Sequence, residues 1–182
     1  MVDKKEIMRL LNWYFRTTGT VTISDEGLVS CTGNVELKRK PKHEKLPVAF
    51  DRVSGYFGCW GNQLTTLEGA PQSVGGSFSC SGNQLTSLEH APKIVGRDFW
   101  CNNNRLKSLE GLPAIPGTLF LSYRRKLPLL RCLLAQKVEF VPRQRNKKVQ
   151  NILNKYAKQG RREMFWCQKE LEDAGFPENA RW

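Results

Sequence analysis

The sequence predicts an α/β repeat fold, a short solenoid of parallel stacked strands with a cap of secondary structure at each end. A stretch of 21 residues recurs in register, and its apolar residues alternate with polar ones at the spacing of a strand. Helical apolar spacing occurs near both termini. We expect an N-terminal cap in residues 1–30, a solenoid in residues 31–141 and a basic helical cap in residues 142–182.

The repeat is clearest in three copies, which begin at Val53, Val74 and Val95. Each contains the pattern Phe-x-Cys-x-x-Asn-x-Leu and is followed by a turn that ends in Pro. An earlier copy runs from Cys31 to Arg52 and is one residue longer, and a fading copy begins at Pro116. One coil cannot bury its apolar side alone, so the five copies must stack to form a core.

Two columns of side chains follow from this stacking. The phenylalanines should form one buried column: Phe57, Phe78, Phe99 and Phe120. In the last copy this alignment puts Ser122 at the Cys position and Arg125 at the Asn position. Asparagines should form a ladder that hydrogen-bonds the backbone where the chain leaves each strand: Asn62, Asn83 and Asn104.

The repeat fits the leucine-rich consensus Leu-x-Leu-x-x-Asn-x-Leu, with Phe and Cys at two leucine positions. A 21-residue coil leaves little room for a helix on the opposite side, so that side should be extended or turn-like. The longer pattern Phe-x-Cys-x-x-Asn-x-Leu-Thr-Ser-Leu-Glu-Gly-Ala-Pro-x-x-Val-Gly-Gly, with the ending in residues 174–182, resembles small bacteriophage and prophage leucine-rich-repeat proteins. The resemblance implies a phage origin and a binding scaffold, and implies no mechanism. The repeat is also similar to that of secreted bacterial effectors, but residues 142–182 are too few for the ubiquitin-ligase domain that some of those carry.

The N-terminal segment predicts a helix and a hairpin. Asp3 is a favourable N-cap residue, and Ile7, Leu10 and Leu11 follow at helical spacing. Two short β-type segments, residues 20–23 and 28–31, flank a Ser-Asp-Glu-Gly turn.

The C-terminal segment predicts mostly helix. Residues 128–135 form a short apolar helix, and Val138 and Phe140 alternate as in a last strand. Two amphipathic helices should follow, in residues 147–158 and 162–174, with a break at Gly160.

The net charge of +12 is concentrated near the C-terminus, because residues 124–169 contain 14 Lys and Arg against two acidic residues. No apolar run is long enough for a bilayer, and the N-terminus lacks the features of a signal peptide. We therefore expect a protein of the bacterial host cytoplasm. The six cysteines should not form disulfides there, and Cys59, Cys80 and Cys101, which share one repeat position, should be small buried hydrophobes that bind no metal. We expect no cofactor.

The sequence contains no convincing catalytic site. His43 lies in a basic loop, and His90 stands at a repeat turn where the other copies have glycine. Cys167 lies on an apolar helix face with no histidine near it in sequence. Glu68, Glu89 and Glu110 recur at the turns, which indicates turn chemistry. We predict a protein that is not an enzyme.

The outward side of the strands carries the predicted binding site. Aromatic residues that point away from a core are typical of interfaces, although they could instead pack against each other or beneath a terminal helix. In the last copy, the alignment predicts that Leu119, Leu121 and Tyr123 point outward. The candidate binding residues are Tyr56, Trp60, Asp98, Trp100, Asn102, Tyr123, Arg124 and Arg125.

These features favour a non-enzymatic phage-type protein that binds, and inhibits, a host defence or housekeeping protein with an acidic surface. Neither a membrane nor a small-molecule substrate is expected. The alternative is a nucleic-acid-binding protein whose basic C-terminal helices contact phosphates. The residues for that alternative are Arg143, Arg145, Lys147, Lys148, Lys155, Lys158, Arg161 and Arg162.

Overall fold

The protein is a β-solenoid of about five turns, with parallel stacked strands and short helices near both termini. The computed structural model describes residues 2–38, 44–142, 146–157, 159 and 163–182. His43, Arg143, Arg145, Lys158, Arg161 and Arg162 lie outside the described residues.

The N-terminal segment contains a helix followed by two antiparallel strand pairs. The Asp3 carboxylate accepts hydrogen bonds from the backbone N–H groups of Lys5 and Glu6, so it is the N-cap of the first helix. The elements are α1 (Lys4–Tyr14), β1 (Phe15–Thr17), β2 (Val21–Ile23), β3 (Val29–Cys31) and β4 (Val35–Leu37). The predicted hairpin is confirmed, because β2 pairs with β3 antiparallel.

The repeats contribute strands to two sheets, with the core between them. The strands of the repeats are β5 (Phe50–Val53), β6 (Phe57–Gly58), β7 (Ser73–Val74), β8 (Phe78–Ser79), β9 (Ile94–Val95), β10 (Phe99–Trp100) and β11 (Ile115–Leu121). The side opposite the consensus strands is extended, as expected: β3, β5, β7 and β9 pair in parallel there. The consensus strands form the larger sheet in the order β4-β6-β8-β10-β11, with β1 at one end and a further strand, Ala135–Phe140, at the other.

The last element of the larger sheet is β12 (Ala135–Phe140), which follows a 3-10 helix at Leu130–Leu134. Two helices follow, α2 (Lys147–Tyr156) and α3 (Met164–Asp173). Helix α2 lies along β12: the Asn154 amide hydrogen-bonds both backbone groups of Val138, and Gln150 accepts from the N–H of Phe140. The backbone groups at these two positions of the last strand are therefore paired by side chains of the helix.

Buried phenylalanines stack through the middle coils as predicted. The rings of Phe57 and Phe78 lie 5.7 Å apart between centroids, and those of Phe78 and Phe99 lie 5.1 Å apart. All three side chains are fully buried. Their coils are 21 residues apart, and the strand register pairs each phenylalanine with the next.

The predicted position of Phe120 is wrong by one residue. Phe99 pairs with Leu119, and Trp100 pairs with Phe120. Leu119 and Leu121 are buried, at the Phe and Cys positions, whereas Phe120 and Ser122 point outward. The cause is a turn that is one residue shorter: the inward Ile115 follows Pro113 by two residues, whereas the inward Val95 of the preceding coil follows Pro92 by three.

The predicted asparagine ladder is formed by Asn83 and Asn104, whereas the Asn62 amide, also buried, donates to the Trp60 carbonyl oxygen of its own coil. The Asn83 Oδ1 accepts hydrogen bonds from the N–H groups of Asn62 and Leu64, and its Nδ2 donates to the carbonyl oxygens of Cys59 and Cys80. Asn104 repeats this pattern one coil further along, with its amide bonded to Cys80, Cys101 and Leu85. The side chain of Arg124 then donates to the carbonyl oxygen of Asn104, at 2.7 Å, where the ladder ends.

All six cysteines are buried. Burial raises the pKa of the Cys59 thiol to about 12. It also raises the pKa of the Cys80, Cys101 and Cys132 thiols. Protonated thiols are poor nucleophiles and poor metal ligands, so these side chains act as small apolar groups in the core.

The corrected register makes opposite predictions for two neighbouring residues. Leu119→Ala should lower the free energy of unfolding by about 2–5 kcal/mol, because it leaves a cavity in the core. Phe120→Ala should cost only about 1–2 kcal/mol, because it removes one aromatic contact on a half-exposed face. Urea denaturation of both variants checks this. An equal or larger loss for Phe120→Ala would show that Phe120, and not Leu119, occupies the buried Phe position of the fifth coil.

The buried thiols also predict a pH dependence of stability. A thiol whose pKa is raised on folding keeps its proton in the folded state and loses it in the unfolded state above about pH 8.5. Each such group should lower the free energy of unfolding by about 1.4 kcal/mol per pH unit above that value. Urea denaturation at pH 7.5–9.5 measures the slope, and Cys80→Ala should make it shallower. An unchanged slope in that variant would contradict this account.

Candidate functional site

The outward face of the larger sheet contains an open groove of about 560 Å³. Coils are numbered from the copy that begins at Cys31. Tyr56 and Trp60 come from the second coil and Trp100 from the fourth, and the third coil between them contributes small residues. We call this feature the aromatic groove; it is lined by Tyr56, Trp60, Gly61, Ser79, Ser81, Gly82, Trp100, Asn102 and Asn103. Four of the predicted binding residues therefore lie together: Tyr56, Trp60, Trp100 and Asn102.

The Tyr56 ring forms one wall because Gly58 leaves space beneath it. A Cβ atom at Gly58 would lie 2.4 Å from the Tyr56 hydroxyl, so only glycine permits this position of the ring. Burial raises the pKa of Tyr56, and a hydrogen bond with the Ser79 side chain partly offsets that shift. The hydroxyl is thus held at the floor of the groove, while Trp60, at the rim of the same coil, is 36% exposed.

The opposite wall is Trp100, which stacks on Phe120 of the next coil. Their ring centroids lie 5.0 Å apart and their planes differ by 8°. One face of the indole is thus covered by Phe120, and Trp100 is half-buried rather than freely exposed. The aromatic side chains of the outward face do pack partly among themselves, and the remaining surface of Trp100 faces the groove.

The floor of the groove is polar and uncharged. Ser79 is buried beneath Tyr56, and the Ser81 hydroxyl donates to the Asn102 Oδ1 at 2.8 Å. Gly61 and Gly82 occupy equivalent positions with φ of +68° and +67°, where a side chain would be strained. The floor therefore offers hydroxyl, amide and backbone groups to a ligand and has no side chain larger than asparagine.

Three other predicted binding residues have structural partners: Arg124, which donates to the Asn104 carbonyl oxygen, Asp98 and Tyr123. The Asp98 carboxylate accepts from the N–H of Thr118 at 2.8 Å, which aligns the fourth and fifth coils. The Tyr123 hydroxyl hydrogen-bonds the Asn179 Oδ1 at 3.0 Å, and its ring lies 5.4 Å from Phe140. Tyr123 and Arg125 line a separate pocket beside the C-terminal residues, not the aromatic groove.

Asn179, which was not among the predicted site residues, is buried and attaches the C-terminal segment to the fifth coil. Its Nδ2 lies within hydrogen-bond distance of the carbonyl oxygens of Arg124, Arg125 and Leu127. A single asparagine outside the repeat carries no periodic signal, so nothing in the sequence distinguished it from a surface residue.

Arg105 and Lys107, two exposed basic residues of the fourth coil, were missed as a site, whereas Arg125 of the fifth coil was among the predicted binding residues. At the positions of Gln84 and Thr86, the fourth coil has Arg105 and Lys107 instead, and the fifth coil adds exposed Arg125 and Lys126. We call Arg105, Lys107, Arg125 and Lys126 the basic ridge. None of the four forms an ion pair with a described residue. The change from Gln84 and Thr86 to two basic residues in the next coil is the sequence signal that could have identified the basic ridge.

The residues of the nucleic-acid alternative are only partly described. Lys147 and Lys148 are exposed in the first turn of α2. The Lys155 ammonium pairs with the Glu170 carboxylate at 2.6 Å, which ties α2 to α3. The other five lie outside the described residues.

The described residues include no group of three or more His, Cys, Asp or Glu side chains placed to hold a metal. Glu68 pairs with Lys45, and its carboxyl pKa is lowered by that contact. His90 is exposed with φ of +63°, and Cys167 is buried. No helix in the described part of the chain is long and apolar enough to cross a bilayer.

Adjacent residues of the fourth coil should respond differently to truncation. Phe99→Ala should lower the free energy of unfolding by about 3–5 kcal/mol, because Phe99 is fully buried. Trp100→Ala should cost about 1–2 kcal/mol, through loss of the contact with Phe120. Both losses can be read from thermal or urea denaturation. If the two variants lose equal stability, Trp100 is a core residue and not a wall of the groove.

Comparison with family models, curated proteins and solved structures gave no match for this chain. The resemblance to phage leucine-rich-repeat proteins therefore stays a prediction from the repeat itself. The geometry of the aromatic groove and the charges beside it are the features of this chain that bear on its function.

Proposed function

We propose that this chain is a non-enzymatic binding protein of bacteriophage or prophage type that engages and inhibits a host macromolecule. The partner is a defence or housekeeping protein with an acidic surface, met in the cytoplasm of the infected bacterium. Contact is made through the outward face of the larger sheet and its basic flank. The observation that carries the proposal is the aromatic groove, in which Trp60 and Trp100 stand on a rigid sheet and face a shared space.

Rigid placement of aromatic residues favours binding energetically. Such side chains bury much area with few rotatable bonds, so little entropy is lost when a partner orders them. In this chain the strands that carry them are stacked between neighbouring coils, and the stacked rings of Trp100 and Phe120 restrict each other.

We also propose that the solenoid is of the leucine-rich-repeat type and that its terminal elements act as caps. The inward Phe, Cys and Leu positions and the asparagine ladder support the first part. The bonds from Asn154 and Gln150 to the last strand support the second, since they pair backbone groups that would otherwise form an open sheet edge.

Affinity capture with matched variants tests the function. A tagged protein is incubated with nuclease-treated bacterial lysate, and captured proteins are quantified by mass spectrometry. The wild type should retain a host protein whose recovery falls at least about tenfold with Trp60→Ala. Ile94→Ala is the control, because Ile94 is 65% exposed on the opposite sheet. The purified partner should also lose activity when the protein is added. If Trp60→Ala captures the host protein as well as the wild type does, contact through the outward face of the larger sheet is rejected.

The second candidate function is nucleic-acid binding, favoured by exposed Lys147 and Lys148 at the start of α2. It predicts that affinity for DNA or RNA falls steeply with salt, because phosphate contacts release counterions. Lys147→Glu with Lys148→Glu should then abolish binding, while Trp60→Ala should change it little. Absence of binding to both nucleic acids at low salt would exclude it.

A further inference from the structure

The aromatic groove and the basic ridge together make a two-part surface. We infer that the partner inserts an extended, acidic segment, with one planar side chain in the aromatic groove and carboxylates on the basic ridge. This inference rests on the proposed function and specifies which feature of the partner is recognised.

The groove has room for a planar group. Trp60 and Trp100 lie on coils two apart and are offset by two residues along the strands, because Trp100 is at the position of Gly58. With neighbouring strands about 4.8 Å apart and a rise of about 3.3 Å per residue, their backbones are separated by about 12 Å. Aromatic contact on both sides of a planar group requires about 7–8 Å. The serines between them keep this space open, and Phe120 covers the far side of Trp100. The groove is thus wide enough to accept a planar side chain.

The charge of the fourth and fifth coils is net positive. Residues 98–139 contain seven Lys and Arg against three acidic residues, Asp98, Glu110 and Glu139. Arg105 of the basic ridge is two residues beyond Asn103, at the polar end of the groove. Because Arg105 is three residues beyond Asn102, their backbones lie at most about 11 Å apart, so a peptide linker of about three residues can bring the first carboxylate to it.

The same distribution disfavours a nucleic acid on this face. A strand of phosphates crossing the sheet needs cations along its whole path. The outward positions away from the basic ridge carry mixed charge. Glu36 lies with Arg16 and Lys38, and Asp98 follows Arg97, so a strand of phosphates would meet carboxylates as well as cations there. An acidic peptide avoids this repulsion, since its carboxylates can be confined to the end that meets the ridge.

Fluorescence polarisation with synthetic peptides tests the inference. The probe is a labelled dodecapeptide with one phenylalanine followed, after three residues, by four glutamates. Two matched probes replace the phenylalanine by alanine or the glutamates by glutamines. Each replacement should weaken binding at least about tenfold. Equal binding of all three probes, or none, overturns the inference.

Protein variants assign each half of the probe to its subsite. Ser81→Trp fills the groove from an outward position, so it should remove the preference for phenylalanine over alanine. Arg105→Glu with Lys107→Glu should remove the preference for glutamate over glutamine. Lys93→Glu is the matched charge control, because Lys93 is exposed next to β9 of the opposite sheet, and it should leave both preferences intact.

A twelve-residue oligothymidine serves as the competing polyanion. If it binds more tightly than the probe and depends on the same residues, the acidic segment is rejected in favour of nucleic acid. Failure of the peptides while lysate capture still depends on Trp60 rejects this inference and leaves the proposed function standing. Loss of both rejects the function as well.

Discussion

The hydrogen bonds of the buried asparagines are the constraint on which the rest of this solenoid depends. Where the chain leaves each strand, it turns inside the protein and cannot bond its backbone groups to water. Asn83 satisfies four of those groups in two coils, and Asn104 repeats the arrangement. Because each amide bridges one coil to the next, neighbouring coils are held in a single register.

Because the coils share one register, equivalent residues of successive coils stack in columns, and the inward and outward columns have different roles. Inward columns must match in shape, so Phe57, Phe78 and Phe99 stack in the core. Outward positions are free of this requirement and vary from coil to coil. The second coil places Trp60 at a position where the third has Ser81 and the fourth has Asn102. The aromatic groove is thus a product of variation at positions that the fold does not constrain.

The fifth coil shows how the fold tolerates departure from the repeat. A shorter turn places Leu119 and Leu121 inward, and apolar volume is conserved although the phenylalanine moves to the surface. Arg124 bonds to the Asn104 carbonyl where the ladder stops. Asn179, from the C-terminus, supplies bonds to the backbone of residues 124–127. Side chains from outside the repeat thus replace the ladder at this end.

The sequence by itself determined the coil length, the stacking, the inward residues of the clear copies, the terminal helices and hairpin, and the gathering of Tyr56, Trp60, Trp100 and Asn102 on one face. These follow from periodicity, which is visible wherever several copies agree. Only the tertiary structure decided the one-residue shift at Leu119, because a single degenerate copy can be aligned in two ways. It also decided that Trp100 stacks on Phe120 and that Tyr123 contacts Asn179. These contacts join residues about 20 or 56 positions apart in the sequence. They depend on which segments are neighbours in the fold, and the local sequence pattern does not contain that information.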